Sequence, residues 1–253
     1  MITDLQKASL SKRIAAGILD TMLLCVLAVG FMSLLFNLLG YSSHSAALKQ
    51  SYEHYETKYG VSFDMTQAEF EAMTDAQKEN FEAAYQALIN DDEAMRTYNL
   101  LINLTLLITT FGILLAMLVL EFAVPLWLKN GQTVGKKVFS LGLMRVDGVQ
   151  ITPLQLFVRT ILGKFTVETM IPVYIIIMMF FNSIGILGPG VLLILLIGQA
   201  VSMIVTRTNS MLHDLIGGTV AVDISSQKIF RSTDDLIDYQ KKIAAERAAR
   251  QDY

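Results

Sequence analysis

Cysteine is almost absent: Cys25 stands alone, which excludes an intramolecular disulfide framework and any cysteine-rich metal cluster. Histidine is scarce as well. His44, His54 and His213 form no His-Glu-x-x-His motif and no zinc-ligand spacing, and no Ser/His pair lies within an apolar run, so hydrolytic and metal chemistry have no residues to start from. An excess of positive charge is missing too. The net charge is −3 and the pI is near 5.6, which removes the electrostatic case for nucleic acid as a partner. Charge of either sign is thin, at 17% of 253 residues, where an average soluble domain carries about a quarter.

Apolar residues fill the difference, and they fall in long blocks. A transmembrane helix needs about 20 predominantly apolar residues. The first block, 14–39, contains one charge, Asp20; the second, 100–128, is broken only by Glu121. A third runs over 165–181 with Glu168 near its start, and a fourth over 184–205. Between the last two, the Gly- and Pro-bearing segment 182–190 predicts a tight hairpin. The first block is too long for a signal-peptide core, and no small-residue cleavage site follows it.

Lys and Arg in the flanks set the orientation. Lys7, Lys12 and Arg13 precede the first block, and residues 129–164 carry six basic residues against the single acid Asp147. Residues 40–98 carry four basic and eleven acidic residues. Both termini and the 129–164 loop are therefore expected in the cytoplasm and the acidic segment outside, which requires an even number of spans. The expected class is an all-α polytopic membrane protein with four transmembrane helices, a small cytoplasmic β-hairpin and an extracellular helical insertion. Its segments are an N-terminus and first span (1–39), an acidic helical insertion (40–98), a second span (99–128), a cytoplasmic hairpin with an interfacial helix (129–164), a third and fourth span (165–206) and a cytoplasmic C-terminal segment (207–253).

Within the insertion, Thr66-Gln-Ala-Glu69 and Thr74-Asp-Ala-Gln77 are capping-box patterns, followed by Phe81, Ala84, Tyr85 and Leu88 at helical spacing. Two or three short amphipathic helices are expected there. Between the second and third blocks, 138–146 is strand-like, Asp147-Gly148 is a hairpin turn signal, and Val149-Gln-Ile returns. Thr152-Pro153 starts a helix to Lys164 whose Arg159 and Lys164 suit anionic headgroups. Residues 219–224 form a further strand that suits pairing with the hairpin, and the mixed-charge tail reads as a solvated helix or as disorder.

Charges in apolar blocks are costly, about 2.5–3.5 kcal/mol for an acid at a span centre, so Asp20 calls for a partner. Arg13 lies seven residues earlier on the same helical face, too far along the axis for a direct bond, with the small Ala16 between them. Each therefore needs a partner from another element. Read singly, Arg13 is a snorkelling anchor, Glu121 and Glu168 reach polar ground near span ends, and His213 and Asp214 are surface residues of a short helix.

Three motifs occur in order: Arg13-x-x-Ala16-x-x-x-Asp20, Asn130-Gly-Gln-Thr-Val-Gly-Lys136 and Leu212-His-Asp-Leu-Ile-Gly-Gly-Thr219. Together they resemble the RDD family of bacterial and archaeal membrane proteins, named for one arginine and two aspartates. Carried over, these are Arg13, Asp20 and Asp214, a charge cluster at the cytoplasmic side. Gly131, Gln132, Thr133, Gly135 and Lys136 supply the middle motif, Arg159 matches more loosely, and His213 accompanies Asp214. Gly131 and Gly135 are one residue too close for a phosphate loop, and no Ser or Thr follows Lys136, so a buried turn at the membrane face is expected instead.

The resemblance implies a role in the cell membrane, with transport or ion exchange proposed for some members, and no cofactor. Two functions compete. One is a small transporter or ion exchanger, helped by homodimerisation, with Asp20 as the ion or proton site and Arg13 and Asp214 as its charge partners at the cytoplasmic mouth. The other is a non-catalytic adaptor or accessory subunit, with the charge cluster structural and residues 40–98 binding an extracellular partner. The lipid bilayer is the partner common to both; an enzyme is not expected.

Overall fold

The computed structural model describes residues 8–128, 130–181, 187–206 and 208–251, and is mostly helical. In order, the elements are α1 (Leu10–Leu38), α2 (Tyr41–Tyr59), α3 (Gln67–Glu71), α4 (Asp75–Ile89), α5 (Asp92–Leu128), α6 (Val134–Val138), β1 (Leu141–Arg145), α7 (Pro153–Glu168), α8 (Ile171–Phe181), α9 (Leu187–Val205), α10 (Leu212–Gly217), β2 (Thr219–Asp223) and α11 (Thr233–Gln251). Helices α1 and α5 are each long and apolar enough to cross a membrane. Helix α7 with Ile171–Ile177 makes a third candidate, bent by 50° beside Met170, whose φ is +56°. A shorter apolar stretch covers Leu193–Val205. Lys7, Lys129 and the 182–186 part of the expected hairpin lie outside the described residues.

Two units can be told apart. One comprises residues 29–112. There both expected capping boxes form: Thr66 starts α3 with Glu69, and Thr74 starts α4 with Gln77, each satisfying end N–H groups reciprocally. Helix α2 packs on α4. An aromatic cluster joins them, with Phe63 and Phe70 both edge-on to Phe81 at 5.7 and 5.3 Å. Ala84 and Leu88 are buried, whereas Tyr85 points outward, so α4 uses a narrower apolar face than the spacing suggested.

The other unit comprises the described residues of 1–28 and 113–253. Strands β1 and β2 pair antiparallel, Leu141 opposite Asp223 and Arg145 opposite Thr219, over a core of Leu141, Leu143, Met144, Val220 and Val222. The local hairpin expected over 138–151 is reduced. Its turn forms, with Gly148 at φ +90°, but the return is a single bridge between Met144 and Gln150. Val138 is helical because Thr133 caps α6 by accepting a hydrogen bond from the Lys136 N–H. The continuous partner of β1 therefore comes from 219–223, far along the chain. Thr152 and Gln155 form the capping box of α7 with Pro153 in the first turn, as the residues demand. The helix runs past Lys164 to Glu168, and its Arg159 is buried, so that side chain is not presented to headgroups as expected.

Candidate functional site

Two stretches leave α-helical geometry for wider π turns: Leu118–Ala123 within α5 and Arg159–Glu168 within α7. They hold Glu121, Arg159, Lys164 and Glu168. In an α-helix, side chains three or four apart are neighbours, so Arg159 and Lys164, five apart, would diverge. One π turn brings them to the same side. Both then meet Glu121: Lys164 Nζ lies 2.5 Å from Oε1, and Arg159 Nη1 lies 3.7 Å from Oε2. Thr160 ties the two segments further by donating from Oγ1 to the Glu121 carbonyl at 2.9 Å.

Asp214, in α10, joins this pair to α1. Its Oδ1 accepts from Arg159 Nε at 3.0 Å and its Oδ2 from Arg13 Nη2 at 2.8 Å. Arg13 also donates from Nη1 to the Thr208 carbonyl at 3.2 Å. All three side chains are buried, so the snorkelling reading of Arg13 and the surface reading of Asp214 are both replaced by an interior ion chain: Arg13, Asp214, Arg159, Glu121, Lys164. Close approach is secured by glycines. A Cβ on Gly217 would lie 2.8 Å from Arg159 Cβ, and one on Gly163 would lie 2.7 Å from His213 Cβ, so α7 and α10 touch where each sets a glycine against a side-chain-bearing residue of the other.

His213 is buried beside Asp214 and is not a surface residue either. Its Nδ1 lies 2.6 Å from Glu168 Oε1, its backbone N–H donates to the same oxygen at 3.2 Å, and its Nε2 lies 3.5 Å from Asp214 Oδ1. Burial, helped by the Arg159 guanidinium, lowers the imidazole to about 4 despite the carboxylates nearby. It is therefore neutral at pH 7. Burial alone would raise the Asp214 carboxyl; His213, protonated in the acid range where that carboxyl titrates, together with Arg159 and Arg13 outweighs it and holds the group far below the ordinary carboxylate range.

Asp20 has other partners than those expected. It does not bond Arg13 or Asp214. Its Oδ2 accepts from Thr133 Oγ1 at 2.5 Å and its Oδ1 from the Gly135 N–H at 2.7 Å. The aspartate thus reaches across to the start of α6 and is met by neutral donors. Gly135 is required for this contact, since a Cβ there would lie 2.3 Å from the Ala16 carbonyl oxygen and 2.9 Å from Asp20 Cγ. Gln132 secures the same turn by donating to the Leu141 carbonyl at 2.8 Å, and Gly131, at φ +59°, lets the chain pass under Leu143. The middle motif is a docking turn for α1, as the absence of a phosphate-loop spacing implied.

A cavity of about 580 Å³ opens among these groups. Its walls include Arg13, Asp20, Glu121, Lys136, Arg159, Lys164, Glu168, His213 and Asp214, with Ile14, Ile18 and Met22 of α1 on the apolar side. Glu121, Lys164 and Glu168 belong to the site although they lie outside the three motifs. The two acids stand out in apolar blocks, but only the π geometry tells which side they face.

The model of the RDD family matches residues 7–218. No curated protein and no solved structure matches the chain. The matched region holds the arginine and both aspartates, and the chain belongs to the RDD family.

Proposed function

We propose that the protein is a small membrane transporter or ion exchanger whose transported species occupies the charged cavity. The observation that carries this reading is the cavity itself: about 580 Å³, within the range of ligand pockets, lined by four basic and four acidic side chains beside an apolar helix face. Ionisable groups at membrane depth are expensive and usually mark pathways. Asp20 is the coupling group in this reading, since neutral donors hold it and leave its charge free to meet a cation. The topology that goes with it is multi-pass in the cell membrane with four spans, α1, α5, the bent α7–α8 pair and α9, and with both termini cytoplasmic. Homodimerisation would complete a pathway, and no catalysis is assigned.

Sodium- or proton-driven flux in proteoliposomes, read by an internal pH dye, tests the reading. Asparagine can keep the hydrogen bond from Gly135, so Asp20→Asn should fold and lose coupled flux. A variant that transports at the native rate removes Asp20 from the mechanism. A second reading rests on the bonding of Asp214, whose two oxygens are both taken by arginines: the cluster is a fastening and the protein an adaptor, with residues 40–98 binding an extracellular partner. Absence of any flux from folded wild-type protein, with a partner captured by the 40–98 segment, favours it.

A further inference from the structure

Three of the four cations lining the cavity have a carboxylate within salt-bridge distance: Arg13 has Asp214, Arg159 has Asp214 and Glu121, and Lys164 has Glu121. Lys136 has none among the described residues, nor any hydrogen bond to its ammonium. The two remaining carboxylates of the wall are engaged by neutral donors. Asp20 accepts from Thr133 and Gly135, and Glu168 accepts from the His213 ring and backbone. The ion chain itself has three cations for two carboxylates, and Lys136 feels Arg159 and Lys164 as well as Glu121 and Asp214. Burial and the Arg159 charge lower the Lys136 ammonium to about 7, the response of a cation held without a partner.

Part of the lining is apolar. Ile14, Ile18 and Met22 follow one another four residues apart on α1, so they form one exposed stripe beside the charged groups. A small inorganic anion would leave that stripe unused.

We propose that the cavity binds an anionic amphiphile, a phosphate monoester or carboxylate on an apolar chain, with the headgroup on Lys136 and the chain along Ile14, Ile18 and Met22. This names the substrate class of the cavity and rests on the transport reading for its purpose, but it concerns binding alone.

The test is equilibrium binding to full-length protein in maltoside micelles, read by thermal unfolding and by native mass spectrometry. The probes are dodecyl phosphate, inorganic phosphate and dodecanol. Dodecyl phosphate should bind roughly a hundredfold more tightly than inorganic phosphate, the gain from burying about three or four methylenes. Dodecanol should not bind. Lys136→Met should weaken dodecyl phosphate about tenfold or more, as loss of one charge-assisted bond does. Lys136→Arg should restore it, and Ile18→Gln should remove the advantage of the chain without altering weak binding of inorganic phosphate. Because Lys136 has no ion pair to break among the described residues, Lys136→Met should fold; if its yield fails, the Lys136→Arg and Ile18→Gln pair decides.

Equal binding of inorganic and dodecyl phosphate overturns the proposal in favour of a free anion. Equal binding by wild type and Lys136→Met, or by wild type and Ile18→Gln, overturns it as a micelle effect. Phosphatidic acid retained by wild type but not by Lys136→Met assigns the amphiphile to the bilayer. Dodecyl phosphate binding without such retention assigns a single-chain compound. Binding without flux would sink the transport reading and leave the site; flux without binding would do the reverse.

Discussion

Replacing Asp214 by asparagine keeps the shape and removes the charge on which two guanidiniums converge. In the native protein Arg13 and Arg159 approach its two oxygens at 2.8 and 3.0 Å, with all three side chains no more than 7% exposed. After the change the amide oxygen can accept from only one of the two arginines and carries no charge; beyond it Arg13 keeps the Thr208 carbonyl and Arg159 keeps Glu121 at 3.7 Å. Breaking a buried pair by removing one partner costs about 3–5 kcal/mol, because an uncompensated charge stays behind. That is a large fraction of the roughly 5–15 kcal/mol that holds a typical domain together. At about 2–4 °C per kcal/mol for a chain of this size, the unfolding temperature should fall by roughly 6–20 °C. Thermal unfolding of purified Asp214→Asn in maltoside, followed by loss of the monodisperse size-exclusion peak, measures it. Arg13→Met/Asp214→Asn should lose less than the two single changes combined, since the double variant strands fewer charges. A fall under about 2 °C for Asp214→Asn, or strict additivity, would refute the buried ion chain as the fastening of α1 to α10.

Gly135→Ala should cost about 1–3 kcal/mol or more, because its methyl would strike the Ala16 carbonyl, which is backbone and cannot turn aside; chemical denaturation of the variant checks this. The folded-state value of His213, about 4, lies below its unfolded value of 6.5, so the unfolded chain binds more protons between them and stability should fall as pH drops through that window. His213→Gln should flatten unfolding temperatures measured between pH 7 and pH 4. Lys136 is likewise lowered, from 10.5 to about 7, so stability should rise with pH from about 7 toward 10, and Lys136→Met should unfold at a higher temperature than wild type at pH 7. A lower temperature for that variant would mean that Lys136 has a native partner.

Much of the local structure is legible without coordinates because its causes are local. Thr66, Thr74 and Thr152 announce three helix starts through hydrogen bonds that span three residues, and all three form. Asp147-Gly148 announces a turn, and the turn forms, although β1 takes its main partner elsewhere. The candidate site was legible in membership and not in wiring. Arg13, Asp20 and Asp214 stand out as charges near apolar runs and through the family motifs, but nothing in their spacing tells that Arg13 pairs with Asp214 while Asp20 turns to Thr133 and Gly135.

The order of residues alone determined two long apolar helices, α1 and α5, because about 20 consecutive apolar residues have a single good solution in lipid. It also determined the capped helix starts and membership of the RDD family. Tertiary structure decided which charge meets which. The ion chain joins Arg13, Glu121, Arg159, Lys164 and Asp214 across as many as 201 residues, and two of its helices change pitch to reach one another. Periodicity assumes a constant 3.6 residues per turn, and where π turns replace it the facing of every later side chain changes. Tertiary structure also set Lys136 on the cavity wall, with no carboxylate within salt-bridge distance among the described residues.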